Sequence, residues 1–412
     1  MSKLKKIYSD KQKFIYKETL KRDWFMLILH GAKRSGKTAL NNDIFINELI
    51  RARAQANKDG VDVPMYILAG ATTGTIYQNV LIELENKYGL DIKFDRLGNF
   101  ELMGVYVVQV GHEKISGLAK IRGMTSYGAY INEATLANRY VFDEIISRCS
   151  GHGARIIMDM NPDHPEHFIK KEYIDRDLKN VLDYNWTIFD NPFLSERYVR
   201  NIIETTPAGM FTERNIYGNW TIAEGAIYKD YDLKKHKIAE REIPKCNYFF
   251  AGVDWGYEHF GAILVLGVGT DGKFYLIEEH AEQHKDIDYW VDIGRKITDK
   301  YGDIYFFCDS ARPEHIARFN QCGLNAVNAV KNVLDGIEYV ASLFKTDKLF
   351  ISDAVKRFDQ EINSYSWNKK TGKPIDENDD VMDCLRYALY SYKQNILEAR
   401  RQNYSGKGAR TN

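Results

Sequence analysis

Short apolar runs alternate with amphipathic stretches through the first half of the chain. Residues 24–29, 64–70, 105–110, 128–131 and 156–160 are apolar and of strand length, while 8–20, 39–53 and 75–88 interleave polar and apolar positions over helical lengths. Strands alternating with helices predict an α/β fold with a mostly parallel, doubly wound sheet, which holds its ligands at the carboxyl ends of its strands. From Gly218 the pattern breaks into Gly-, Lys- and Tyr-rich sequence, and a different one begins at Cys246. There the apolar runs 248–254, 262–268 and 273–278 are separated by turns at Trp255-Gly256 and Gly269-Thr270-Asp271-Gly272, so the middle strand is expected antiparallel to its neighbours. A helix over 287–301, a buried strand over 304–308, helices near His315, Leu334 and Val355, and a last helix over 380–394 complete the pattern.

These patterns divide the chain into a first domain over 1–220, a linker over 221–245, a second domain over 246–395 and a polar tail over 396–412. The length of 412 residues exceeds what one ordinary core organises. Apolar content of 44% and charged content of 28% fit a globular protein. No 18-residue apolar run occurs, so no membrane span is expected. The start, Met1-Ser2-Lys3-Leu4-Lys5-Lys6, carries charge without an apolar segment behind it, so a cytoplasmic rather than a secreted protein is expected. Cys149, Cys246, Cys308, Cys322 and Cys384 are odd in number and widely spaced, which argues against a disulfide framework and against zinc. With a formal net charge of zero, any nucleic-acid contact must come from local basic patches. The run Lys234-Lys235-His236-Lys237 is either such a patch or a solvated face.

The candidate chemistry starts at Gly31-Ala32-Lys33-Arg34-Ser35-Gly36-Lys37-Thr38, which fits G-x-x-x-x-G-K-[ST] between an expected strand and an expected helix. Gly31, Arg34, Ser35 and Gly36 belong to a loop whose backbone N–H groups converge on phosphate oxygens. Lys37 neutralises the β/γ-phosphates, and the Thr38 hydroxyl reaches Mg²⁺. A nucleoside triphosphate, ATP with one Mg²⁺, is therefore the expected ligand. Asn132-Glu133 ends a later strand, where such ATPases place a metal-holding acid and the carboxylate that polarises water, so Glu133 is the expected base. Asn132 stands where the usual residue is Asp, and an amide brings no charge to the metal. Gln12, upstream of the loop, either reads an adenine edge or is a solvated helical residue.

In the second half, three meandering strands, a helix, a strand and a closing helix are the order of a ribonuclease H-like domain. That order sets Asp254 and Asp309 side by side at strand ends and lets the last helix bring Asp380 and Asp383 to the same point. Clustered carboxylates suit two hard cations, Mg²⁺ or Mn²⁺, one activating water and one stabilising the leaving oxygen of a phosphodiester. Taken singly, each Asp is an ordinary turn or cap residue, and the joint placement carries the metal reading.

A Walker ATPase followed by a ribonuclease H-like nuclease resembles the large terminase subunit of tailed bacteriophages, over about residues 8–395. Gly31 to Thr38, Ile131-Asn132-Glu133-Ala134 and Met160-Asn161-Pro162 are similar to its Walker A, Walker B and coupling motifs. Asp190-Asn191-Pro192, Gly218-Asn219-Trp220 and Glu224-Gly225 look like further segments of that family. Gly252-Val253-Asp254-Trp255-Gly256, Cys308-Asp309-Ser310-Ala311 and Asp383-Cys384-Leu385-Arg386 resemble its acidic motifs. Asp380 departs from it, standing where related sequences often have His. The resemblance implies ATP-driven packaging of double-stranded DNA in the host cytoplasm, metal-dependent cutting by Asp254, Asp309 and Asp383, and a transition-state Arg at Arg34 or Arg122. It also implies a small terminase subunit, the portal protein of a procapsid and a ring oligomer as partners. The rival expectations are an ATP-dependent helicase or repair nuclease and a nucleotide-binding scaffold.

Overall fold

The computed structural model describes residues 7–405, with side chains as far as residue 396. The Lys-rich start on which the expectation of a non-secreted protein rests, and tail residues 406–412, lie outside the described residues. The described chain forms two compact units, residues 7–200 with 212–222 and residues 201–211 with 223–405. No described helix is long and apolar enough to cross a membrane.

The first unit is built on seven strands, β1 (Met26–Gly31), β2 (Met65–Gly70), β3 (Phe100–Leu102), β4 (Val105–Gly111), β5 (Ser126–Asn132), β6 (Arg155–Met160) and β7 (Val181–Trp186). Their order is β3-β4-β2-β5-β6-β1-β7, and every pair is parallel except β3 with β4. Alternate residues of one strand face opposite layers: Leu27 and Leu29 pack with Leu40, Ile44 and Phe45, whereas Met26 and Ile28 pack with Val141, Phe142 and Ile145. Both faces are covered, which is why these strands read as unbroken apolar runs. The sequence pattern does not expect β3 or β7. The first is three residues long, and the second, Val-Leu-Asp-Tyr-Asn-Trp, is an edge strand with mixed exposure.

Helix α1 (Asp10–Lys21) starts at a capping box in which Gln12 N–H donates to Ser9 Oγ and Ser9 N–H donates to Gln12 Oε1. Helix α2 (Lys37–Asp59) begins directly after Gly36, whose left-handed backbone turns the β1 loop into the helix. The single helix expected over 75–88 is interrupted by a π-helical stretch at Tyr77–Leu81.

The second unit carries β8 (Lys237–Ile238), β9 (Cys246–Asp254), β10 (Gly261–Gly269), β11 (Phe274–Glu282), β12 (Tyr305–Cys308), β13 (Asn325–Asn328) and β14 (Leu349–Ser352), in the order β13-β12-β9-β10-β11-β14-β8. β10 is antiparallel to β9 and β11, and the remaining pairs are parallel. Phe250, Leu264 and Leu276 face the closing helix (Asp380–Ser405), while Val253, Ile263 and Val265 face the helices Ile287–Tyr301 and Pro313–Gln321.

Two boundaries differ from those the sequence pattern suggests. Residues 223–245, expected as part of a linker, belong to the second unit: Ala223, Ile227 and Tyr228 are buried in its core, and β8 pairs with β14. The apolar anchors are too few in a Lys-rich stretch to show as a pattern. The closing helix continues through Ser405, so the tail expected from residue 396 begins as helix. In the basic run Lys234 and Lys235 are exposed, as a solvated face would be, while His236 is drawn inside. Lys235 pairs with Asp347 at 2.6 Å, and Lys237 pairs with Asp359 at 2.7 Å.

Candidate functional sites

The carboxyl ends of β1, β5 and β6 open on a cavity of about 540 Å³. Arg34, Ser35, Gly36, Lys37, Thr38 and Glu133 all line it, so residues from two separate motifs meet in one place. Arg122 and Gln12 are not among its lining residues. Gln12 Nε2 donates to the Gly36 carbonyl at 3.0 Å while its side-chain oxygen accepts from Ser9 N–H, which ties α1 to the loop.

Lys37 is buried with its ammonium turned into its own loop. Nζ donates to Gly31 O at 2.9 Å, Ala32 O at 2.6 Å and Ser35 Oγ at 3.2 Å, with Asn161 Oδ1 3.4 Å away. Burial lowers its pKa to about 8, and Asp159 acts in the opposite direction. The loop is braced from outside by segments the sequence marks but does not explain. Asn191 Nδ2 donates to Arg34 O at 2.7 Å, and Ala32 N–H donates to Trp186 O at 2.7 Å. Gly218, at φ +71°, lies so close that a Cβ there would be 2.1 Å from Trp186 O and 2.8 Å from Gly31 Cα.

Glu133 follows β5 in a left-handed backbone conformation, φ 55° and ψ 45°, which is rare for a residue with a side chain. Burial and the neighbouring Asp159 raise its pKa, and Lys33 opposes them. A carboxyl held nearer neutrality is a better proton acceptor for a water than an ordinary surface Glu.

Asn132 and Asp159 are directly paired across β5 and β6, and Asn132 Nδ2 donates to Asp159 Oδ1 at 2.8 Å. Tyr130 OH donates to Asp159 Oδ2 at 2.6 Å, and Asn79 Nδ2 donates to Asn132 Oδ1 at 3.0 Å. Asn79 and Gln78 reach the cavity from the π-helical stretch, a feature frequent at functional sites. Sequence reasoning missed Asp159, Asn79 and Glu83. Asp159 stands between two methionines of an apolar strand, and an acid inside such a run was the available signal.

In the second unit Asp254 ends β9 and Asp309 follows β12, the strand beside it; Asp309 N–H donates to Val253 O at 2.9 Å. The closing helix packs onto β9 at Gly252, where a Cβ would lie 2.0 Å from Cys384 O. That close approach carries Asp383 and Asp380, one turn apart, toward Asp254. Burial raises the Asp254 pKa well above the carboxylate range, with Asp383, Asp309, Asp380 and Asp379 adding to it. Burial also raises Asp379, to about 7, and Asp380.

Among the described residues no group of three or more His, Cys, Asp or Glu stands ready to hold a metal ion. Internal cations occupy two of the carboxylates instead: Lys331 Nζ is bonded to Asp309, and Arg386 Nη2 donates to Asp383 at 2.6 Å beside Tyr387 OH at 3.1 Å. The side chains gathered near Asp254 are carboxylates, and oxygen donors are the type that hard divalent cations take. The sequence did not single out Asp379, Lys331 or Glu361. Glu361, 1% exposed, accepts from Val381 N–H at 2.7 Å and Met382 N–H at 3.3 Å, and so holds the start of the closing helix.

The chain matches the family described as terminase large subunit, T4likevirus-type, N-terminal, over residues 28–235. It belongs to the terminase large subunit family. The large terminase subunit of Escherichia phage T5 is 23% identical over 290 residues, 61% of this chain and 64% of that protein. The PBSX phage terminase large subunit of Bacillus subtilis is 24% identical over 219 residues, half of each chain. This terminase thus spans less than two thirds of the length of these curated relatives in the matched regions. The large terminase of a thermophilic bacteriophage has the same fold, with TM-score 0.80 and 25% identity over 92% of this terminase and 98% of that chain. That protein has also been solved in complex with ATP-gamma-S, a structure matching at TM-score 0.78.

Proposed function

We propose that this terminase is a DNA-packaging motor whose first unit hydrolyses ATP to translocate duplex DNA and whose second unit cuts it by metal-dependent phosphodiester hydrolysis. The observation that carries the first half is the convergence of Lys37, Thr38 and Glu133 on one cavity in a chain of this family. The loop 31–38 acts as a phosphate-binding P-loop. Lys37 exchanges its bonds to loop carbonyls for the β/γ-phosphates, Thr38 is the hydroxyl that holds Mg²⁺, and Glu133 takes the proton of the attacking water. The bound Mg²⁺ supplies neutralisation of phosphate charge. Arg34, which lines the cavity, is the better placed of the two arginines for the transition state. The nucleotide complex of the thermophilic phage terminase supports this reading.

In the second unit, read as a ribonuclease H-like nuclease, Asp254, Asp309 and Asp383 would hold two divalent cations, with Asp380 beside them. Lys331, bonded to Asp309, would lie beside them, and two such cations would supply activation of water and stabilisation of the leaving oxygen. Family membership supports double-stranded DNA, a small terminase subunit and a portal protein as partners, a ring oligomer on the portal, and action in the host cytoplasm.

Purified protein incubated with plasmid DNA and Mn²⁺ or Mg²⁺, with and without ATP, tests both halves. Cutting that needs the metal and ATP turnover that rises with DNA are the expected results. Absence of both leaves only a nucleotide-binding scaffold, and strand displacement on a forked duplex would favour the helicase alternative.

A further inference from the structure

The first cavity holds a carboxylate that is not at the end of β5. β6 lies between β5 and β1 in the sheet, and Asp159 is paired with Leu29 on one side and Asn132 on the other. Asp159 is therefore one strand from the loop-bearing strand, whereas Asn132 is two strands away. Strands lie roughly 4.8 Å apart, so Asp159 stands about one strand spacing nearer the loop-bearing strand.

Asn132 brings an amide rather than a charge to the cavity. A carboxylate only accepts hydrogen bonds, so Asn132 must turn Nδ2 toward Asp159, and its Oδ1 is then taken by Asn79. Asp159 is 2% exposed and is gripped by Tyr130 and Asn132, with Asn41 Nδ2 at 3.4 Å and Glu133 N–H at 3.5 Å. It lines the cavity together with Thr38, and it is the group that acts on the buried Lys37 ammonium from a distance. Burial raises the Asp159 pKa, and its hydrogen bonds oppose that together with countercharges. The loop's ammonium is one such charge, and a bound cation is a second.

We propose that Asp159 is the carboxylate that anchors the divalent cation of a bound nucleotide, with Asn132 as the amide that positions it. The inference rests on the ATP reading of the cavity. The fixed negative charge has moved one strand toward the loop, and residue 132 keeps only the orienting hydrogen bond. Glu133 retains its separate role as proton acceptor.

The test is calorimetric titration of the full chain with a non-hydrolysable ATP analogue, in Mg²⁺ and in EDTA, for the wild type, Asp159→Asn, and the exchange variant carrying Asn132→Asp with Asp159→Asn. The wild type is expected to bind more tightly with Mg²⁺ than in EDTA. Asp159→Asn is expected to weaken binding in Mg²⁺ by about tenfold or more and metal-free binding by a smaller factor, since a ligand charge is lost and Lys37 loses a countercharge while the loop N–H groups are kept. The exchange variant keeps one acid and one amide across the same strand pair, and it is expected to recover most of the Mg²⁺ effect. It also decides the matter if Asp159→Asn alone fails to fold. A folded Asp159→Asn protein with wild-type Mg²⁺ dependence, or a folded exchange variant without it, overturns the inference and leaves the ATP reading standing. A wild type that binds the analogue in neither condition overturns the ATP reading itself.

Discussion

Lys37 is an ammonium held among carbonyls, and its depressed pKa gives nucleotide binding a pH dependence of definite sign. Phosphates bind the charged form, which the free protein keeps below about pH 8 and loses above it. Affinity for the nucleotide should therefore be flat below pH 8 and fall as pH rises beyond it, by up to about tenfold per unit. In Lys37→Arg the guanidinium stays protonated across this range, so whatever affinity remains should not change with pH. Titrations of the ATP analogue from about pH 7 to about pH 9.5 check this, spanning the range over which the Lys37 ammonium is lost; a wild-type affinity that stays constant throughout would contradict it. Lys37, Thr38 and Glu133 were legible in the sequence because each sits in a short motif with a mechanism. Asp159 was not, because its importance lies in strand register: only the sheet order sets it between Leu29 and Asn132.

Two packed elements fix the sites, and each depends on a glycine. At Gly218 a methyl group would press on the Trp186 carbonyl and on Gly31, where the loop begins, and φ +71° adds backbone strain. Gly218→Ala should cost about 1–3 kcal/mol in the first unit and weaken nucleotide binding, because the loop must shift to make room. Thermal unfolding and analogue binding measure the two effects, and unchanged values in both would show that the segment does not brace the loop. At Gly252 the close approach of the closing helix sets the spacing between Asp254 and Asp383. Gly252→Ala should therefore depress metal-dependent cutting sharply, while Asp254→Asn should abolish cutting and leave the metal-free fold as stable or slightly more so, since carboxylate repulsion is relieved. Plasmid cleavage at saturating Mn²⁺, beside unfolding in EDTA, separates these outcomes; an Asp254→Asn protein that cuts normally would remove the metal role. The main strands and the closing helix follow from apolar periodicity. β7, β13 and β14 escaped it, because short or edge strands carry too few buried positions to set a period.

Each unit has apolar clusters of its own on both faces of its sheet, so each has the means to fold as a cooperative body. Ligands should then stabilise them separately: Mg²⁺ with the ATP analogue should raise the unfolding midpoint of the first unit, and Mn²⁺ without nucleotide that of the second. Calorimetric scans of the full chain show whether the two shifts fall on different transitions. The two-part plan was readable from the change of pattern at Cys246. The crossing of residues 201–211 into the second unit and of 212–222 into the first was not, since it depends on contacts distant in sequence. The claim on which the rest stands is that the cavity of the first unit is a hydrolytic ATP site with Glu133 as its base. ATP turnover in the presence of duplex DNA, measured for the wild type and for Glu133→Gln under conditions where both bind the nucleotide, tests it most directly. The account predicts DNA-stimulated turnover in the wild type and a loss of roughly 10²-fold or more in Glu133→Gln. Equal turnover in the two proteins, or none in the wild type, would contradict it.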